Sequence, residues 1–399
     1  MAEAHEARLT AAGNEMSASF LAAKKRSDET LAKLEENPGK FTMLTGDRPT
    51  GRLHLGHFFG SIKERVAMQN RGVNTNIIIA DYQVITDRDT TEHIDDNVLN
   101  LVIDYMAAGI DPERTMIFTH SAVPALNQLM LPFLSLCTEA ELQRNPTVKT
   151  EVQMRGFPGE SIPVGFFTYP ISQAADITLF KATTVPAGQD QEPMLEQSRE
   201  IVRRFNNIYG ETLVEPNIML PSNSACLRLP GTDGKAKMSK SLGNCIYLSD
   251  TAKELKKKVN SMYTDPEHIH IDQPGHLEGN TVFTYLDAFC TDEDFQKYLP
   301  EYQNLDELKA HYTRGGLGDG TCKKFLYNVL NDRLTPIRER RLELQKDIPA
   351  IYEMLRKGCE KARQAAIETM DEVRKAMKIT YFDDEELIKE QAKRYAEGK

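Results

Sequence analysis

Three short apolar runs alternate with helix-patterned stretches in the first third of the chain, and that alternation leaves few folds open. FTML (41–44) runs into Gly46-Asp47-Arg48-Pro49-Thr50-Gly51, and HLGHFFGSIKERVAMQN (54–70) follows with a helical pattern. NTNIIIADYQVIT (74–86) carries a β-branched III run of the kind found in strands covered on both faces. NVLNLVIDYMAAGI (97–110) reads as an amphipathic helix closed by Gly109, and TMIFTHSAV (115–123) as a third strand. Strand, helix, strand, helix, strand is the pattern of an open parallel sheet, so the fold class is α/β, of Rossmann type. Ligands of such sheets bind at the carboxyl ends of the strands, where the loop at 46–57 lies.

At 399 residues the chain is longer than one ordinary domain. Residues 1–39 read as a charged helical extension that EENPGK (35–40) ends with a turn, 40–249 as the parallel-sheet catalytic domain, and 250–399 as a C-terminal helical domain. No apolar run approaches the ~18 residues of a membrane span, and the N-terminus lacks the apolar core of a signal peptide, so the expected location is cytoplasmic and no membrane partner is expected. The six cysteines are scattered singly without a CxxC pair, which supports neither a disulfide framework nor a zinc site. A net charge of −10 argues against a protein that coats nucleic acid indiscriminately. It leaves room for local basic faces at 253–260, 333–346 and 356–364, which read equally well as solvated helix faces laced with ion pairs.

Two segments carry chemistry. In Pro49-Thr50-Gly51-Arg52-Leu53-His54-Leu55-Gly56-His57, glycines at a strand-to-helix turn let backbone approach a phosphate, and the helix N-terminus favours its charge. His54 and His57, three apart, share one face of the first turn and can donate to phosphate oxygens as charge builds. In the glycine-flanked loop LPGTDGKAKMSKSLGN (229–244), Lys235, Lys237 and Lys240 with Ser239 and Ser241 offer charges and donors suited to a departing pyrophosphate. A loop can also open and close with the reaction cycle.

HLGH followed in this order by KMSKS resembles the signature pair of the class I aminoacyl-tRNA synthetases. The resemblance implies a Rossmann domain that binds ATP between the motifs, with a basic helical region for the tRNA anticodon. Tyr169-Pro170-Ile171-Ser172-Gln173-Ala174-Ala175-Asp176, then Val185-Pro186-Ala187-Gly188-Gln189-Asp190-Gln191, the helix at 196–210, IIIADYQVIT and LTPIRERR (334–341) are similar to the tryptophanyl-tRNA synthetases, over roughly residues 41–380. Tyr169, Gln173 and Asp176 stand at i, i+4 and i+7 on one helix face. A buried Asp176 can accept the single N–H of indole, and an analogue without a donor would leave that carboxylate unpaired.

The family resemblance implies that Tyr169 and Gln191 hold the substrate ammonium, and that Val185, Ala187 and Leu44 line the indole slot beside Gln173. It implies ATP contacts from Arg48, Pro49, Thr50, Gly56, His57, Gly188, Gln189, Asp190, Leu227, Lys237, Met238, Ser239, Lys240 and Ser241, with Lys149 as a further phosphate contact. His54, His57, Lys237 and Lys240 are the expected catalytic set. The carboxylate of L-tryptophan would attack the α-phosphorus of ATP, with Mg²⁺ carried on the phosphates, and the terminal ribose of tRNA(Trp) would then take the aminoacyl group. A homodimer is implied as well.

Tyrosyl-tRNA synthetases share the fold, and Gln173 matches them better than the methionine common in tryptophan enzymes. Leu44 matches neither group, and Arg48 and His57 replace a common glutamine and asparagine. A tyrosine enzyme therefore stays open as an alternative, as does a synthetase-like binding module that has lost catalysis.

Overall fold

The structure is a computed structural model that describes residues 22–86, 91–157, 161–220, 229–235 and 238–398, with Gln189 and Ser241 described through their backbone alone. The chain enters through α1 (22–36) and a 3-10 turn at Pro38–Lys40. It then runs into β1 (Thr42–Asp47), the short α2 (Leu55–His57), a π turn at Phe58–Ile62, and α3 (Lys63–Arg71). The sequence implies one continuous helix there, whereas the observed one bulges across its second turn. Gly72 ends α3 at φ 90°, a conformation that costs a residue without Cβ nothing. β2 (Asn74–Ile79), α4 (Ile94–Ala108) with its Gly109 cap, and β3 (Thr115–Thr119) follow in the predicted order, although β3 stops at Thr119, where a 3-10 turn at His120–Ala122 replaces the expected end of the strand.

The next segment is helical: α5 (Ala125–Leu134), α6 (Glu139–Arg144), α7 (Pro146–Arg155) and α8 (Val164–Leu179). α6 begins with a reciprocal cap between Thr138 and Glu141. β4 (Thr184–Pro186), α9 (Glu192–Tyr209) and β5 (Asn217–Met219) complete the α/β part. All strand pairs are parallel, in the order β3-β2-β1-β4-β5. The order reverses between β1 and β4, which places the ligand crevice at the carboxyl ends of those two strands.

From residue 252 onward the described residues form helices: α10 (Ala252–Asn260), α11 (Thr281–Phe289), α12 (Asp292–Tyr298), α13 (Leu305–Arg314), α14 (Asp319–Leu344), α15 (Ile348–Ala376) and α16 (Glu385–Ala396). α14 returns along α4, and α15 packs against β3. Gly358 of α15 lies so close to β3 that a Cβ there would stand 2.0 Å from the carbonyl oxygen of Ile117. Arg341 of α14 makes a buried ion pair with Asp104 of α4. One apolar core therefore runs from Leu44 and Ile77 in the strands to Leu334 and Val373 in the last long helices.

α1 anchors a smaller cluster beneath the sheet, where Leu34 packs with Met43, Met68, Val73 and Met219. No helix among the described residues is long and apolar enough to cross a membrane.

Candidate active site

β1 ends at Asp47, whose carboxylate accepts from Arg65 at 2.7 Å and from the Tyr105 hydroxyl at 2.5 Å. Burial alone would raise this carboxyl. The charge of the Arg65 guanidinium and the two hydrogen bonds outweigh burial and bring it down to about 2. The chain direction after β1 is thus pinned by an ionised side chain tied to two helices. The following loop delivers His54 as the cap of α2, and His57 Nδ1 accepts the His54 amide at 3.3 Å. With Nδ1 accepting, the proton of a neutral His57 is on Nε2, the donor a phosphate oxygen needs. The two imidazoles stand 3.8 Å apart, tilted by 45°, which brings the predicted pair together.

Backbone bonds join this turn to the segment behind the second motif. Leu55 donates to the Ile246 carbonyl at 2.9 Å, and Leu248 donates to the Leu53 carbonyl at 3.0 Å. The Lys240 ammonium reaches the Gly51 carbonyl at 3.0 Å and Thr50 Oγ1 at 3.4 Å. Met238 is buried, and its Cε lies 3.9 Å from where a Cβ on Gly56 would be. Asn244, itself buried, shapes the loop: its Oδ1 accepts the Ser239 amide at 2.8 Å and its Nδ2 donates to Asp233 at 3.0 Å. Lys237 and Leu227 lie outside the described residues.

α8 carries the second half of the site. Asp176 is 5% exposed; burial raises its carboxyl above the ordinary range, with His120 opposing that rise. His120 Nδ1 stands 3.1 Å from Asp176 Oδ1, and Gln83 Nε2 donates to Asp176 Oδ2 at 3.1 Å. Sequence reasoning missed both neighbours. Gln83 stood inside the quoted IIIADYQVIT run, and His120 directly followed a strand, but neither belongs to a motif with a spacing rule.

Tyr169 is half-buried about two turns before Asp176 on the same helix. Burial pushes the Tyr169 hydroxyl well above its ordinary value, and the nearby Glu151 carboxylate adds to this. Arg48, from the first motif, acts on the same hydroxyl in the opposite sense, so the two halves of the site are within electrostatic reach. Gln173 is half-buried on the same helix.

β4 places Val185, 7% exposed, next to Leu44 of β1, 3% exposed, because Met43 pairs with Thr184 in the parallel register. Ala187 donates its amide to Met219 at 3.1 Å as the chain leaves the sheet. A Cβ on Gly188 would fall 2.6 Å from Asp190 Oδ1, so the glycine leaves room for the Asp190 carboxylate in the position it takes here. Asp190 accepts from the Gln191 amide nitrogen at 3.1 Å. Behind the turn, Glu192 pairs with Arg199 at 2.7 Å and with Arg26 of α1, and Ser27 accepts the Leu220 amide at 2.9 Å. Lys149 is exposed on α7, and Pro49 leads the loop without a charged contact of its own.

The basic clusters are partly spent inside the fold. Arg333 pairs with Asp294, Arg341 with Asp104, and Lys258 with Asp250, while Arg338 donates to the Asp250 carbonyl. Arg356 pairs with Glu353 and Glu360 along its own exposed helix face.

Comparison with known proteins identifies the family. The family model described as tRNA synthetases class I (W and Y) matches residues 36–335. A tryptophan–tRNA ligase of Clostridium longisporum is 55% identical over 348 residues, 86% of this chain and 99% of that protein. Another from Lactococcus lactis is 53% identical over 346 residues, 86% of this chain and 99% of that protein. The solved tryptophanyl-tRNA synthetase of Campylobacter jejuni, complexed with ADP and tryptophan, superposes with a TM-score of 0.72 at 31% identity, covering 84% of this chain and 99% of that one.

Proposed function

The chain belongs to the tryptophan–tRNA ligases, within the class I tRNA synthetases for tryptophan and tyrosine, and from that premise we propose how its residues divide the reaction. The enzyme joins tryptophan to its tRNA in two steps, activation by ATP and transfer. The observation that carries the assignment of roles is the pair of backbone bonds between Leu53–Leu55 and Ile246–Leu248, which hold the two motifs against one space.

ATP lies along the Arg48–His57 turn, with Thr50, Gly56 and the His57 Nε2 donor toward the α-phosphate. Lys240 and Ser239, with Lys237, meet the β- and γ-phosphates, while Gly188 and Asp190 take the ribose. Attack by the amino-acid carboxylate at the α-phosphorus needs little covalent chemistry from the protein. Orientation and fixed positive charge supply the acceleration. Mg²⁺ would ride on the phosphates of ATP, where it would neutralise charge that builds on the departing pyrophosphate.

The tryptophan ring enters between Val185 and Leu44 and aims its N–H at Asp176. Tyr169 and Gln191 hold its ammonium group. A buried carboxylate facing a small apolar slot discriminates by what it loses when unpaired. Phenylalanine would leave it without a donor, at a cost of ~10⁴-fold or more in selection. Transfer to tRNA(Trp), a homodimeric assembly and a cytoplasmic setting complete the proposed reading.

Amino-acid-dependent ATP–pyrophosphate exchange tests the reading, with each amino acid offered in turn. Exchange with tryptophan is expected, and exchange with tyrosine in its place would overturn it. The chain has no tryptophan of its own, so fluorescence excited at the indole band reports bound ligand alone.

A further inference from the structure

Asp176 does not face the ligand slot alone. His120, 1% exposed at the end of β3, and Gln83, in the 3-10 turn after β2, close around its carboxylate. Three contacts define the group: Gln83 Nε2 to Asp176 Oδ2 at 3.1 Å, Gln83 Nε2 to His120 Nδ1 at 2.9 Å, and His120 Nε2 to Asn127 Oδ1 at 3.4 Å. A carboxylate can only accept, so Gln83 must present its amide nitrogen to Asp176. That same nitrogen then faces His120 Nδ1, which must accept in turn. The second ring nitrogen carries the proton and donates to Asn127.

This arrangement is self-consistent with a neutral His120, and it leaves two buried acceptors without a donor, Asp176 Oδ1 and Gln83 Oε1. Unpaired buried acceptors are rare and costly, and an incoming N–H relieves one of them. His120 Nδ1 nevertheless stands 3.1 Å from Asp176 Oδ1. If that nitrogen gains a proton from solvent, it becomes a donor and the same oxygen is its nearest acceptor.

We propose that His120 is a proton-operated competitor for the indole acceptor: the neutral ring leaves Asp176 Oδ1 open to the indole N–H, and the protonated ring occupies that oxygen itself. This rests on the tryptophan reading above and adds a control to it. Binding of one tryptophan to the protonated form expels one proton from Nδ1 to solvent, and the Gln83 amide turns back to donate to the freed nitrogen. His120 is a positioning residue in this scheme, since it acts on the ligand through Asp176.

The groups around the ring set where the switch falls. Asp176 faces it from α8, Gln83 and Asp81 from the turn after β2, Asn127 from α5, and the Tyr82 ring lies 5.5 Å away. Burial disfavours the imidazolium, but the Asp176 charge, the hydrogen bonds and the Asp81 charge outweigh it and hold His120 above its ordinary 6.5. The transition therefore lies toward neutral pH rather than far into acid.

Calorimetric titration of the full-length enzyme with tryptophan, from about pH 5.5 to about pH 8.5 in buffers of different ionisation heat, tests this. The expected wild-type result is an affinity that rises toward ~10-fold per pH unit below the transition and then levels, with close to one proton released per tryptophan bound. ATP affinity should not follow that profile. His120→Asn, which keeps an acceptor for Gln83 but cannot titrate, should bind tryptophan with no pH dependence and no proton release in this range. A flat wild-type profile, or an affinity that falls as pH rises, would overturn the competitor role. The wild-type proton count decides the matter even if the variant folds poorly. Binding of tyrosine and not tryptophan at every pH would instead remove the underlying reading of the site.

Discussion

The amide of Leu55 donates to the carbonyl of Ile246 across 2.9 Å, so the first turn of α2 and the segment after the KMSKS loop are parts of one hydrogen-bonded unit. The KMSKS loop springs from that unit, and its Lys240 reaches back to the Gly51 carbonyl. Asn244 sits at the root of the loop, holding Ser239 and Asp233 through opposite ends of its amide.

Asn244→Ala removes both bonds while leaving every side chain proposed to touch substrate chemically unchanged. Two hydrogen bonds of about 1 kcal/mol each predict a slowing of adenylate formation of roughly 10- to 30-fold. Pre-steady-state exchange should show this in the rate constant, with tryptophan affinity within about twofold of wild type. An equal loss in tryptophan affinity would mean the residue supports the whole crevice and not the loop.

Asp176→Ala separates selection from activation. Without the carboxylate, tryptophan kcat/KM should fall by ~10⁴-fold while ATP binding persists, since the nucleotide contacts come from other elements. Exchange kinetics across tryptophan, tyrosine and phenylalanine would read this directly. Wild-type selectivity in the variant would remove the indole contact.

The first three strands were legible from their apolar runs and α4 from its Gly109 cap, whereas β4 and β5, three residues each, are too short to leave a periodic signal. The pairing of His54 with His57 followed from helical spacing alone. Gln83 and His120 were not legible, because their roles arise where the ends of β2 and β3 converge on α8, and no local pattern encodes that meeting. The arginines of LTPIRERR show the same limit. Their charge is visible in sequence, but the inward turn of Arg341 to Asp104 depends on α14 crossing α4.

Asp47 should give the fold an acid-sensitive component. Its carboxyl is lowered from the ordinary 3.8 to about 2 in the folded chain. The stabilisation is therefore complete above pH ~4 and is lost as pH falls through about 2, an effect of about 2 kcal/mol. Asp47→Asn should flatten stability in that acid window relative to wild type. It should also cost about 3 kcal/mol at neutral pH, because Arg65, 2% exposed, loses its counter-ion. Urea titrations at several pH values check both signs, and an unchanged acid profile would show that other carboxyls govern it.

Gly358 tests whether the last long helix and the catalytic sheet are one packed body. In an exposed helix a glycine-to-alanine change stabilises by up to ~1 kcal/mol through backbone entropy. Gly320 of α14, with nothing within 4 Å of an added Cβ, should show that gain. Gly358 is also helical, yet its Cβ would stand 2.0 Å from the Ile117 carbonyl oxygen, and neither backbone can yield without moving α15 or β3. Gly358→Ala should therefore destabilise by about 2 kcal/mol or more, opposite in sign to Gly320→Ala. β3 leads directly into His120, so the displaced strand should also shift the neighbour of Asp176 and weaken tryptophan binding more than ATP binding. Denaturation midpoints for the two alanine variants, with ligand affinities measured beside them, decide this; matching gains at both positions would mean α15 does not press on the sheet.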